Sequence, residues 1–397
     1  MKFSESLRQP VALVLSSEIN GLGVIRSLGI KNVPVFALDP NPLAVGLYSK
    51  YARKITCPDP LQSEDAFIQF IIRIGQDLKV PGILFPATDP YVAAIAKARD
   101  QLGPLFKIPF APWEVIKRIV NKGEQYELAR GAGIPIPQTF TPKSIQQARE
   151  VGTTLRYPVI LKPVYSHPFV VQYRIKGKTV HTAEELVHQY GTYHKAGHPM
   201  LIQEMIQGDI DRLYEFSSYL SPTGELLGSF VQRKLDQYPA DFGTGTLFES
   251  ARDTNLSDLG LRVLKAFGFY GLSNIEFKKD PSDGQFKMIE LNPRTTHANF
   301  LSTACGMNLP YLAYQDMGGK VNRRMPPLCE GKWVFVEQRL FKQRKWPFPK
   351  KKNGRASSMI WYNHAIFSYR DPLPEAIFFY AALKRLLKRT FKRIGLK

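Results

Sequence analysis

Phe286–Arg294 reads FKMIELNPR, and Asn274–Phe277, a little upstream, reads NIEF. Phe286–Leu291 is rich in apolar residues with partial alternation, the pattern of a short buried strand. Between the two stretches lies DPSDG at Asp280–Gly284, which is turn chemistry, so Leu272–Lys278 and Phe286–Leu291 are expected to pair as a hairpin. Glu276 and Glu290 then fall inside apolar strands, where an ionised carboxylate is costly without a neutralising partner. Two carboxylates and the Asn292 amide oxygen are hard donors. They suit magnesium, which takes a few protein oxygens and completes its shell with phosphates and water. Arg294 would add a planar cation beside the same phosphates. The competing reading is a hairpin with two incidental glutamates, and the rest of the chain weighs against it.

Composition sets the outer bounds. At 397 residues the chain can form two or three domains with substantial cores. It has no apolar run of the roughly 18 residues that a membrane-spanning helix needs. VALVL at Val11–Leu15 is too short for the apolar core of a signal peptide and reads as a first strand. Cys57, Cys305 and Cys329 are widely spaced and odd in number, which fits a reducing cytosol better than a disulfide framework or a metal site. Of the formal charge of +20, Arg323–Lys397 carries +15, from nineteen Lys/Arg against four acids. The body is mildly basic. The tail is strongly so.

Taken in order, the chain begins with Val11–Leu15, an Asn20–Gly23 turn, a helix to about Leu28 and a strand at Val33–Leu38, a Rossmann-like βαβ start. Gly21-Leu-Gly23-Val-Ile-Arg26 departs from the dinucleotide fingerprint, with Arg26 where close helix–strand packing needs glycine. Nicotinamide binding is therefore the lesser reading. Phe67–Leu78, Gly82–Pro86 and Tyr91–Leu102 continue the alternation as helix, strand and helix, which implies a parallel sheet ending near Pro112.

From Trp113 the pattern changes. Val115–Gly131 is helical in pattern and includes Lys122, and it leads into GIPIPQTF at Gly133–Phe140. Lys162 sits inside YPVILKP (Tyr157–Pro163), an apolar strand in which an unpaired ammonium would be costly. MLIQEMIQG at Met200–Gly208 is a further apolar strand. Together with NIEF and IELNPR, in this order and spacing, the set resembles the ATP-grasp ligases, and it does so closely from about Trp113 to Gly319. VQRKLDQYPADFGTGTLFES (Val231–Ser250) narrows the likeness to D-aspartate ligase-like carboxylate–amine ligases.

The resemblance implies a fold and a division of labour. The expected architecture is α/β: a Rossmann-like domain over 1–112, a two-lobed ATP-grasp domain over 113–320 with its linker near 201–208, and a basic extension over 321–397. Lys122 and Lys162 would hold ATP phosphates, while Gln203, Glu204 and Ile206 would face the adenine. Asp209 or Asp211 would hold the ribose. Glu276, Glu290 and Asn292 would bind magnesium, with manganese as a substitute, and Arg294 and Arg233 would stabilise the transferring phosphoryl group. Arg233 and Lys234 are adjacent on a strand, so at most one of them faces the site. Where such ligases carry a glycine-rich phosphate loop, Val164–Val180 has Gly177 alone. Ser166, His167, Arg174, Lys176 or Lys178 would supply the contacts by side chain.

The implied reaction is ATP-dependent phosphorylation of a small carboxylate and its capture by an amine. The alternatives are an ATP-grasp enzyme of another type, carboxylase-like, and a non-enzymatic nucleotide-binding protein docked by its tail. In the extension, Trp333–Phe341 and Ala356–Phe367 are expected to be strands or short helices, joined by a basic loop at Lys345–Arg355. Glu375–Ile394 is expected to be helical, with Leu386, Leu387, Phe391 and Ile394 on one face and six cations on the other. This is the profile of a helix lying on an anionic membrane. A helix packed on the body with a solvated basic face is the other expectation. Nucleic acid is disfavoured because no recognition motif accompanies the cations. The expected location is the cytoplasm, with peripheral contact to the membrane through 375–397.

Overall fold

Short β-rich runs alternating with amphipathic stretches form a parallel α/β layer at the N-terminus. The computed structural model describes residues 9–321, 328–345 and 361–393. Its first elements are β1 (Ala12–Leu15), α1 (Ile19–Gly29), β2 (Val35–Asp39), β3 (Ala52–Thr56), α2 (Glu64–Asp77), β4 (Gly82–Pro86), α3 (Asp89–Lys97), α4 (Arg99–Leu102) and β5 (Phe106–Lys107). The strands pair in parallel in the order β3-β2-β1-β4-β5. β1 is apolar and fully buried, as expected of a central strand in a sheet covered on both faces. α2 starts where Ser63 accepts a bond from the Ala66 N–H, with Glu64 and Asp65 favourably placed in its first turn.

Gly21 and Gly23 lie within α1 rather than in a turn before it. A Cβ on Gly21 would stand 2.0 Å from the Ser16 carbonyl oxygen, and one on Gly23 would stand 2.4 Å from the Asn299 amide. Close approach, not turn geometry, requires both glycines. Arg26, at the fingerprint's missing glycine, is buried and reaches a distant partner. Its Nε donates to Asp371 Oδ2 at 2.9 Å and its Nη2 to the Ile366 carbonyl at 2.6 Å.

The second compact unit begins near Phe110. It contains α5 (Trp113–Val120), α6 (Lys122–Gly131), β6 (Thr139–Phe140), α7 (Ile145–Gly152), β7 (Val159–Pro163), α8 (Ser166–Tyr173), β8 (Lys178–Val180), α9 (Ala183–Lys195) and β9 (Met200–Glu204). Its first sheet is antiparallel, in the order β6-β9-β7-β8. The second comprises β10 (Leu213–Leu220), β11 (Leu226–Tyr238), β12 (Thr244–Ala251), β13 (Gly271–Lys279) and β14 (Phe286–Asn292), with α10 (Thr254–Ala266) between β12 and β13. Here too every pairing is antiparallel, β14-β13-β10-β11-β12. The hairpin expected across Asp280–Gly284 is the β13–β14 pair.

The remaining described elements are α11 (Asn299–Ala304), α12 (Leu309–Met317), β15 (Gly331–Val334), α13 (Val336–Phe341), β16 (Trp361–His364) and α14 (Leu373–Arg393). By internal contacts the chain divides into two units. One is Met1–Pro109 with Arg294–Leu340 and Arg344–Lys397, and the other is Phe110–Pro293 with Phe341–Gln343. The expected break at 112 lies close to the observed one. The expected separation at 320 is not seen, because 294–320 and the described tail fold with the N-terminal layer. The buried Asn20 amide donates to the carbonyls of Ala87 and Thr295, and Asn299 donates back to Asn20 Oδ1 at 2.7 Å. Most of the basic loop at 345–355, and the helix end at Ile394, lie outside the described residues.

Arg26–Asp371 is an ion pair in which both side chains are nearly fully buried. The Asp371 carboxylate also accepts from Ser49 Oγ and from the Lys50 N–H, each at 2.8 Å. Removing one partner of such a pair leaves the other charge without compensation. Asp371→Ala is therefore expected to lower stability by about 3 kcal/mol or more, read as a fall in the thermal midpoint.

Candidate active site

The second unit places three glutamates on one rung. Register aligns Glu290 on β14 with Glu276 on β13, Glu276 with Glu215 on β10, and Glu215 with Gln232 on β11. A register shift beside the Glu276 pair inserts Ile289 as an extra residue, and both Ile289 and Glu290 line a cleft of about 340 Å³. Two carboxylates facing each other across adjacent strands repel unless cations stand between them. Lys122 Nζ lies 3.2 Å from Glu290 Oε1, and Lys234 Nζ lies 3.4 Å from Glu276 Oε2.

Local sequence explains where those cations sit. Asn121 caps α6 by accepting from the Glu124 N–H, which puts Lys122 at the first helical position. Lys162 comes from β7 and donates to Gln203 Oε1 at 2.7 Å, while Gln203 Nε2 donates to Thr139 Oγ1 at 2.8 Å. Burial, with help from the neighbouring Lys122 charge, lowers the Lys162 ammonium to about 8. Lys234 is buried. Burial alone would depress it, but Glu276 and Glu215 together hold it above the ordinary lysine range. Burial and the Glu276 charge push Glu215 upward, and its Oε2 accepts from Gln232 Nε2 at 2.8 Å and Asn274 Nδ2 at 2.9 Å.

The other wall is apolar. Ile160, Met205, Ile206, Ile210, Leu213 and Ile289 line it, and the linker from Glu204 to Leu213 runs along it. Lys278 Nζ donates to the carbonyls of Ile206 and Gly208, both at 2.8 Å, which fixes the linker's path. Ala240, Asp241, Phe242 and Gly243, from the β11–β12 connection, close one side. There Lys176 Nζ bonds Thr244 Oγ1 at 3.1 Å, joining the segment after α8 to that connection. An apolar slot ending in lysines and paired carboxylates suits a planar base at one end and phosphates at the other.

Of the residues expected from sequence, Lys122, Lys162, Gln203, Glu204, Ile206, Glu276 and Glu290 line this cleft. Asn292 is buried two rungs further along, opposite Asn274, and is not among the residues lining the cleft. Asp209 and Asp211 are exposed in a short turn, and Ile210 between them is the residue in the wall. The structure does not bring Arg233 to the cleft. Its guanidinium pairs with Glu249 on β12, and strand alternation turns Lys234 inward in its place. Arg294 belongs to the first unit, where it clamps Asp89 with Nε–Oδ1 at 2.6 Å and Nη2–Oδ2 at 3.0 Å. Of the five candidates in Val164–Val180, Lys176 alone is among the lining residues, and Ser166–Tyr173 is a helix.

Sequence reasoning missed Glu215, and of the adjacent cations it assigned Arg233 rather than Lys234. Glu215 carried a usable signal, because it stands between Tyr214 and Phe216 as Glu276 stands between Ile275 and Phe277.

The donor set fits magnesium. Among the described residues no group of three or more His, Cys, Asp or Glu could hold a metal ion. Glu276 and Glu290 face each other on the rung, and two carboxylates are what a magnesium ion shared with phosphates takes from protein.

This architecture is that of the ATP-grasp fold, preceded in sequence by a Rossmann-like domain. Residues 214–337 match the family described as ATP-grasp in the biosynthetic pathway with Ter operon. D-aspartate ligase of Enterococcus faecium (strain Aus0004) is 25% identical over 323 residues, covering 77% of this chain and 76% of that protein. The chain also matches carbamoyl phosphate synthase large chains or their sections, and it spans half or less of those proteins. Among solved structures, N5-carboxyaminoimidazole synthetase from Staphylococcus aureus superimposes with a TM-score of 0.65 at 14% identity, covering 84% of this chain and 85% of that one. L-amino acid ligase from Bacillus licheniformis gives 0.61 at 14%, covering 81% and 78%. At these identities the two structures speak for the fold alone.

Because Lys234 faces the acid rung and Arg233 faces away, the two adjacent cations are expected to differ in effect. Lys234→Gln should lower turnover by roughly a hundredfold, whereas Arg233→Gln should change it only a few-fold, measured as ADP release at saturating ATP.

Proposed function

We propose that this protein is an ATP- and magnesium-dependent carboxylate–amine ligase. The carrying observation is the cleft in which Lys122, Lys162, Lys176 and Lys234 surround the Glu276–Glu290 pair beside an apolar slot. A substrate carboxylate oxygen attacks the γ-phosphorus of ATP, the bond to the ADP oxygen breaks, and an acyl phosphate forms. The amine nitrogen then attacks the acyl carbon, phosphate leaves, and the nitrogen loses a proton to give the amide. Lys122 and Lys162 hold phosphate oxygens. Lys234 neutralises charge on the transferring group. Linker backbone from Glu204 to Ile206 faces the base, and Asp209 or Asp211 meets the ribose. Magnesium, when bound, supplies charge neutralisation at the phosphates, and Glu276 and Glu290, with Asn292 two rungs along, would hold it. The protein's contribution is positioning and preorganised charge, without a covalent nucleophile.

The likeness to D-aspartate ligase supports the amide-forming reading over a carboxylase-like one. The enzyme is placed in the cytoplasm, with residues 375–397 in peripheral contact with an anionic membrane. The test is ADP release across a matrix of carboxylates and amines that includes amino acids and peptidoglycan-type precursors. Release that requires one carboxylate and one amine together is the expected result. Release with bicarbonate and no amine would favour a carboxylase-type reaction, and no release with any pair would overturn both.

A further inference from the structure

Among the described residues, the beginning of α14 packs on the first unit. It follows the buried Asp371 anchor, its Phe378 ring meets Phe335 edge-on at 6.3 Å between centroids, and Ala381 is 4% exposed. From Ala382 to Leu387 every residue is exposed. Phe379, Tyr380, Leu383, Leu386 and Leu387 are between 43 and 61% exposed, and their spacing is that of one helical face. At about 100° per residue that face lies across the helix from Ala381, so the packed side and the apolar stripe point in opposite directions. A helix packed on the body by its apolar side would have buried this stripe. Here it is the other face that packs.

Charge selects the occupant. Lys384 and Arg385 are exposed within the stripe's own turns, and the sequence continues with Lys388, Arg389, Lys392 and Arg393 and no acid after Glu375. No described helix is long and apolar enough to cross a membrane. We propose that the exposed stripe of α14 is a docking element for an anionic bilayer surface, with Leu383, Leu386 and Leu387 entering the acyl boundary and Lys384 and Arg385 reaching the headgroups. Asp371, tied to Arg26, Ser49 and Lys50, gives the helix a fixed base from which to project. This rests on the peripheral-contact reading, which it narrows to a stripe and a lipid charge, and it is independent of the ligase chemistry.

The test is co-sedimentation of the full chain with vesicles of equal phosphatidylglycerol and phosphatidylcholine, and with phosphatidylcholine alone, at low and high salt. A triple variant (Leu383→Ser, Leu386→Ser, Leu387→Ser) and a double variant (Lys384→Glu, Arg385→Glu) are run beside it. Binding to the anionic vesicles is expected to fall roughly tenfold or more in the triple variant, with an unchanged thermal midpoint because those side chains are exposed. The double variant should lose the salt-sensitive part. Equal partitioning of wild type and triple variant, or equal binding to neutral vesicles, would overturn the proposal. So would a concentration-dependent self-association that the triple variant abolishes, since the stripe would then be covered by a second copy. ATP calorimetry on the same preparations separates the two readings: lost nucleotide binding with retained vesicle binding would count against the ligase and leave the docking intact.

Discussion

Glu290→Gln is expected to reduce ADP formation by about a thousandfold or more while leaving the protein folded. A factor of that size corresponds to about 4 kcal/mol of lost transition-state stabilisation. The substitution keeps the side chain's volume and its place in β14, opposite Glu276. What it removes is one of two facing charges in the acid pair and the ion pair at 3.2 Å with Lys122. Lys122 and Glu290 are partly exposed to the cleft, so solvent limits the structural cost and the thermal midpoint should move little. ATP affinity should weaken modestly, because lysine contacts to phosphate persist. Turnover within tenfold of wild type would mean that the acid rung is a structural feature of the sheet and that the chemistry lies elsewhere.

Much of that rung was legible before any coordinates. A glutamate inside an apolar strand is a costly choice, and two of them flanking a turn motif announce a shared task. Lys162 was readable on the same ground, since an ammonium among Val159, Ile160 and Leu161 needs a partner. Choosing between Arg233 and Lys234 was beyond sequence. Alternation says that only one faces inward, but register decides which, and register in β11 depends on pairing with β10 and on irregularities near Asp236 that no local pattern encodes. The helix at Ser166–Tyr173 was hidden for another reason. His-Pro-Phe-Val-Val carries proline and β-branched residues that lower helix propensity, yet Pro168 falls in the first turn, where its missing N–H costs nothing. The domain division failed on distance. Asn20 with Thr295 and Asn299, and Arg26 with Asp371, are contacts between residues hundreds of positions apart, each made by a buried polar side chain that sequence shows only as an isolated oddity.

Lys162→Met is expected to weaken ATP binding by roughly a hundredfold or more and to change how the protein responds to pH. The Lys162 ammonium sits in the cleft wall on Gln203, and burial together with Lys122 lowers it to about 8 from the ordinary 10.5. Its proton therefore leaves the folded protein before it would leave the unfolded chain. Below pH 8 both states carry the charge and the folded state bears the full cost of holding it. Between about 8 and 10.5 the unfolded chain binds more protons, so this residue's contribution to stability rises with pH, and above that window both states are neutral. Wild type should thus gain stability relative to Lys162→Met as pH climbs through the window. At pH 7 the variant, freed of a charge in the wall, should be at least as stable as wild type. Nucleotide binding runs the other way. Phosphate oxygens need the ammonium, so wild-type ATP affinity should decline as pH rises past about 8, while the weaker affinity of the variant stays flatter. Denaturant melts and ATP calorimetry at pH 7, 8.5 and 10 on both proteins measure the two trends. Parallel curves for wild type and Lys162→Met in both measurements would show that Lys162 keeps an ordinary ammonium and does not hold the phosphates.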